Sequence, residues 1–164
     1  MRTALHVAPA PAAAAGRVPR RHAVATAAAL SLAVAWIHFV YMRSHFDEWW
    51  GYGAFFLAAG AGQALFAPLV LRRPAPWLIA GGIAGNLAIV GMYVLTRTSG
   101  PPLGPHAHAP ERVGLADLGA TATEIVLVAV LVSLLAPRAR RRVTDLLLAA
   151  GIALWILRAT GHLP

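Results

Sequence analysis

Seven histidines and six acids in this 164-residue sequence are of the kinds that hold metal ions or relay protons, and seven of these side chains are candidates for one site: His38, His45, Glu48, His106, His108, Asp117 and Glu124. Imidazoles and carboxylates are the usual ligands of zinc, and imidazoles also suit copper. A site built from these residues is therefore expected to take Zn or Cu, or a small ligand with complementary polar groups. Their spacing specifies neither, because no His-Glu-x-x-His pattern or comparable signature is present. A plainer reading makes Glu124 a structural tie, hydrogen-bonded to His38 or to a threonine. Cysteine is absent, which excludes disulfides, thiol redox chemistry and thiolate metal sites. A b-type haem would want two histidines facing each other inside a membrane, and only His38 is placed for that.

Whether these residues meet depends on the elements that carry them. The chain is 59% hydrophobic and 12% charged, with a mean hydropathy of +0.65. A soluble domain carries about 25% charged residues. Lipid is thus the expected solvent, and the expected fold is an all-α integral membrane bundle of five transmembrane helices. Each span needs ~20 apolar residues. The apolar runs place the spans at 23–42, 49–71, 77–95, 118–136 and 144–159, with a long loop at 96–117. Residues 1–22, rich in alanine, proline and arginine, read as a disordered cytoplasmic arm. The first run exceeds the ~7–15 residues of a signal-peptide core. It also ends in Trp36, Phe39 and Tyr41, an aromatic belt rather than a cleavage site. The fifth run is the shortest: its roughly 16 residues reach only ~24 Å, unless it begins earlier with its arginines snorkelling.

Arginine placement sets the orientation. All fourteen basic residues are arginine, for a net charge of +8. With the N-terminus in the cytoplasm, ten of the fourteen fall inside and Arg43, Arg97, Arg112 and Arg158 fall outside. That bias predicts a cytoplasmic N-terminus and an extracytoplasmic C-terminus in the cell membrane. Topology accounts for the basic excess, so the bilayer is the expected partner and nucleic acid is not.

The same topology gathers the titratable groups. His38, His45, His106, His108 and His162 fall toward the outer face, with Asp47, Glu48, Glu111, Asp117 and Glu124. Glu124 lies ~10 Å and His38 ~7 Å below the outer ends of their helices. Asp117, Thr121 and Glu124 share one helix face at i, i+4 and i+7, and His38, Tyr41 and His45 share another. An unpaired carboxylate in lipid is costly, so both faces should turn inward and meet. His106 and His108, in a flexible loop, could close over them.

Further local signals complete the reading. Ser44 and Asp47 resemble a capping box that starts the second helix near His45. Asp117 is the expected N-cap of the fourth helix. Gly60 to Gly62 and the pair Gly81 and Gly85 suit close helix packing, and Gln63 and Asn86 suit interhelical hydrogen bonds. Trp49, Trp50 and Tyr52 read as interfacial anchors.

The stretch 45–56, HFDEWWGYGAFF, resembles the turn after the first helix in an uncharacterised family of small multi-pass membrane proteins of high-GC Gram-positive, actinobacterial-type bacteria. Gly85-Asn86-Leu87-Ala88, Thr96-Arg97-Thr98, Pro102-Leu103-Gly104-Pro105, Asp117 and Glu124 are similar to that family too. The resemblance spans residues 37–135. It implies a compact helical membrane protein, and it brings no activity and no site residues with it.

The functional expectation is a binding or accessory membrane protein with an outward-facing His/carboxylate cluster. The alternative is a proton-coupled transporter subunit that uses Glu124, which with so few helices would need to form a homo-oligomer. A metal-dependent intramembrane enzyme ranks last, since only the same cluster could activate water.

Overall fold

The computed structural model describes residues 17–161. These form five helices: α1 (Arg17–Glu48), α2 (Trp50–Arg72), α3 (Pro76–Thr98), α4 (Leu115–Ser133) and α5 (Pro137–Ala159). No strand occurs among the described residues. The first four helices are long and apolar enough to cross a membrane. The fifth is not, because Arg142, Asp145 and Arg158 bracket a short apolar stretch. The expected disordered arm differs at its end, since Arg17 to His22 already belong to α1. The rest of that arm, at 1–16, and His162 lie outside the described residues.

Helices α1 and α2 form a tight hairpin, reversed at the single extended residue Trp49 (φ −165°, ψ 136°). The expected capping box does not form. Ser44 Oγ instead donates to the Tyr41 carbonyl at 2.8 Å, and α1 runs on to Glu48 because nothing between 43 and 48 breaks a helix. The reversal falls where glycine permits a close approach. A Cβ on Gly53 would sit 2.1 Å from the Phe46 ring.

The four long helices alternate in direction: the connections α1–α2 and α2–α3 are too short for anything else, and Arg97 at the end of α3 meets Asp117 at the start of α4. Each buries one stripe. On α4 the stripe is Ala120, Thr121, Glu124, Leu127, Val128 and Leu131, the i, i+3, i+4 pattern of a helix face turned inward. Helix α1 packs on α2 and α4, and α3 packs on α4, but α2 and α3 meet only sparingly. The ring of four is therefore open along one side. Helix α5 leans on α4 at its start and has no buried residue.

The interior changes character along the bundle axis. At the end formed by the α2–α3 turn, Ala27, Val70, Ile79, Leu127 and Leu131 make a close-packed apolar core. A polar layer of Ser31, Gln63, Asn86, Glu124 and His38 follows, all buried. Beyond it, at the end closed by the α3–α4 loop, the bundle is hollow.

Candidate functional site

The polar layer takes two residues from α1, Ser31 and His38, and one each from α2, α3 and α4. His38 Nε2 lies 3.2 Å from Glu124 Oε1, which ties α1 to α4. Gln63 Nε2 reaches the same Glu124 oxygen at 3.4 Å and donates to Asn86 Oδ1 at 3.1 Å. Asn86 Nδ2 in turn donates to the Gly82 carbonyl, one turn back on α3, at 2.8 Å. Ser31 Oγ donates to the Gln63 carbonyl at 2.8 Å. Both members of the central pair are buried, His38 at 4% exposure and Glu124 at 1%. A carboxyl group so placed is tolerable only with partners, and its Oε1 has two.

Two buried atoms of this layer lack partners: His38 Nδ1 and Gln63 Oε1. The Gln63 amide orientation follows from its neighbours. Its nitrogen faces two acceptor oxygens, so the amide cannot be turned over without opposing oxygen to oxygen.

Above the layer lies a chamber of about 800 Å³. That is within the ~300–1,000 Å³ range of small-molecule sites. His38 and Glu124 border its floor, and Tyr41, Trp49, Tyr52 and Phe56 supply aromatic wall. His45 lies against Phe56 with ring centroids 3.7 Å apart and nearly parallel planes, and its Nδ1 lies 2.8 Å from the Tyr41 carbonyl. Trp49 meets Tyr52 edge-on at 4.9 Å. Trp49 and Tyr52 thus line the chamber rather than serving only as surface anchors, while Trp50 beside them is exposed.

The rim is organised by Arg97. Its guanidinium bridges Glu111, at hydrogen-bond contact, and Asp117, at 2.6 Å, while it lies over the Tyr93 ring. One fork holding two carboxylates closes the loop 99–114 back onto α3 and α4. Asp117 is therefore not the N-cap of α4. Gly114 holds that position, and Asp117, three residues in, is drawn to Arg97 while still favourably placed in the first turn. The loop is pinned rather than flexible. Glu111 N donates to the Thr96 carbonyl at 2.9 Å and His108 N to the Pro101 carbonyl at 2.9 Å. Tyr52 O–H donates to the Leu103 carbonyl at 3.0 Å. Gly100 has φ +82°, and a Cβ there would lie 2.3 Å from the Ala109 nitrogen.

The seven residues singled out from the sequence consequently divide. His38 and Glu124 meet, as their shared depth implied. His106 Nε2 lies 3.2 Å from Glu48 Oε1 in an exposed pair outside the chamber floor. Asp117 belongs to Arg97, His45 to Phe56, and His108 is exposed with φ +62°. Among the described residues no three His, Asp or Glu side chains gather closely enough to hold a metal ion. The physical reason is competition: the acids and imidazoles near the rim already have arginine, aromatic or backbone partners.

Arg97 is the residue that sequence reading undervalued, as a topology marker alone. The signal for it was present: one arginine and two acids flank a proline-rich loop with no other cation but Arg112 nearby. Comparison with family models, with curated proteins and with solved structures found no match.

Proposed function

We propose that this chain is a ligand-binding protein of the cytoplasmic membrane that holds a small organic molecule in the chamber. In the proposed topology the N-terminus is cytoplasmic and the arginine-rich connections lie inside. Residues 144–159 of α5 form a fifth, short span, and the chamber opens outward. The observation that carries the reading is the chamber itself: aromatic wall above, a buried His38–Glu124 pair below. Such a site favours a flat apolar body with one polar group that reaches the pair. Arg97 keeps the loop in place and its charge is matched by its two acids, so the floor supplies the orienting chemistry.

Thermal unfolding of the detergent-purified protein tests this with a panel of aromatic amines, phenols and aromatic acids. A ligand at 100 times its Kd stabilises by about 2.7 kcal/mol. At least one class should raise the midpoint of the native chain and leave His38→Leu and Glu124→Gln unmoved. No shift with any class, or shifts that persist in both variants, would refute the chamber as a binding site.

A second reading has one observation in its favour. The Glu124–Gln63–Asn86 chain runs from the chamber floor toward the open side of the bundle, as a proton-coupled carrier would need. Flux in proteoliposomes that disappears in Glu124→Gln would favour it.

A further inference from the structure

Glu124 is buried in the polar layer with no permanent cation beside it. Its Oε1 meets His38 Nε2 at 3.2 Å and Gln63 Nε2 at 3.4 Å, an imidazole and an amide. Its Oε2 accepts no hydrogen bond among the described residues. The sealed atoms without a partner are His38 Nδ1, Gln63 Oε1 and Arg97 Nε among the described residues. Glu124 Oε2 is not one of them, so it keeps an opening. That opening is onto the chamber, because Glu124 borders the chamber and does not border the second cavity, of about 550 Å³ between α2 and α3. Thr121, one turn nearer the rim on the same face of α4, lines the chamber too. Its hydroxyl likewise has no partner among the described residues and is not sealed. The floor thus presents two acceptors on adjacent turns of one helix.

The charge of the lining decides which donor suits them. Three carboxylates border the chamber, Glu111, Asp117 and Glu124, against two arginines. Arg97 is shared by Glu111 and Asp117, so that group carries an excess of negative charge. Arg112 is exposed on the loop. Neither arginine stands at the floor to receive an anion, and an aromatic acid brought there would set carboxylate against carboxylate. An alcohol could donate to Oε2, but it would bring no charge to match the carboxylate in a medium of low dielectric.

An ammonium group brings both. It has N–H donors for both acceptors, and a charge-assisted hydrogen bond is roughly twice as strong as a neutral one. The wall admits it as well. Tyr41, Trp49 and Tyr52 supply aromatic rings, and aromatic rings attract a cation that an aliphatic wall would repel.

We infer that the chamber takes a protonated amine, whose N–H groups donate to Glu124 Oε2 and the Thr121 hydroxyl while its apolar body lies against the aromatic wall. The inference rests on the reading of the chamber as a binding site and names the class of ligand that the site selects.

Thermal unfolding and equilibrium titration of the detergent-purified full chain at neutral pH test it. The probes share one skeleton: naphthylethylamine, naphthylethanol and naphthylacetic acid. The amine should bind about tenfold tighter than the alcohol, as a charged donor exceeds a neutral one, and the acid should bind most weakly. Glu124→Gln should erase the advantage of the amine, and Thr121→Val should narrow it. The ranking is read on the native chain, so it holds even where a variant fails to fold. Equal or tighter binding of the alcohol or the acid would overturn the inference while leaving the chamber a binding site. An advantage of the amine that survives Glu124→Gln in folded protein would overturn it as well. Binding of none of the three would refute the chamber reading and the inference together.

Discussion

Replacing His38 by leucine is the most informative single perturbation of the bundle. It leaves the Glu124 carboxyl with one long bond, from Gln63 at 3.4 Å. Removing one partner of a buried pair costs about 3–5 kcal/mol, because the remaining polar group is stranded. Glu124 borders the chamber, from which water can reach it, so the lower figure of about 3 kcal/mol applies. The double variant His38→Leu/Glu124→Leu removes both polar groups and keeps similar volumes. Gln63 retains its bond to Asn86 at 3.1 Å. Apolar replacement of a whole buried pair is often neutral or better, so the double variant should lie within about 1 kcal/mol of the native chain. Equilibrium unfolding in mixed micelles, followed by tryptophan fluorescence, gives all four corners of the cycle. The expected coupling is about 2–3 kcal/mol, well above the ~0.6 kcal/mol average for polar contacts in membrane helices. A loss under about 1 kcal/mol in His38→Leu, with the two single effects adding in the double, would show that the pair is not an energetic unit.

Further outcomes follow from the rim and the hairpin. Arg97→Ala should release the 99–114 loop, read as at least tenfold faster amide exchange or proteolysis there. Arg97→Lys should restore little, because a point charge cannot hold two carboxylates as a fork does. Gly53→Ala should destabilise by about 1–3 kcal/mol, since the new methyl group meets the base of the Phe46 ring. Gly62→Ala, which meets nothing, should stay within about 0.5 kcal/mol of the native chain. Single cysteines at Ala139 and Ala107 should be labelled from opposite sides of the membrane in oriented vesicles, and labelling from one side would refute the proposed topology.

Composition determined that the chain is made for an apolar solvent, because 12% charge cannot clothe a soluble domain of this size, and apolar runs of about 20 residues determined that it is helical. Helical periodicity determined that His38 and Glu124 turn inward, since a buried ionisable group must find a partner and these two lie at similar depth. The same cost argument anticipated that Gln63 and Asn86 would join across helices. Packing decided the rest. Helix α1 passes through Ser44 because a hydroxyl can satisfy its own backbone as readily as cap a new helix. Of the seven candidate residues, Asp117 went to Arg97 and His45 to Phe56, because a linear sequence does not rank competing partners. The glycines of α2 and α3 gave no hint that the two helices would part. A small-residue stripe permits close approach but does not compel it, so whether it becomes a contact or a cleft is settled only by where the other helices hold the pair.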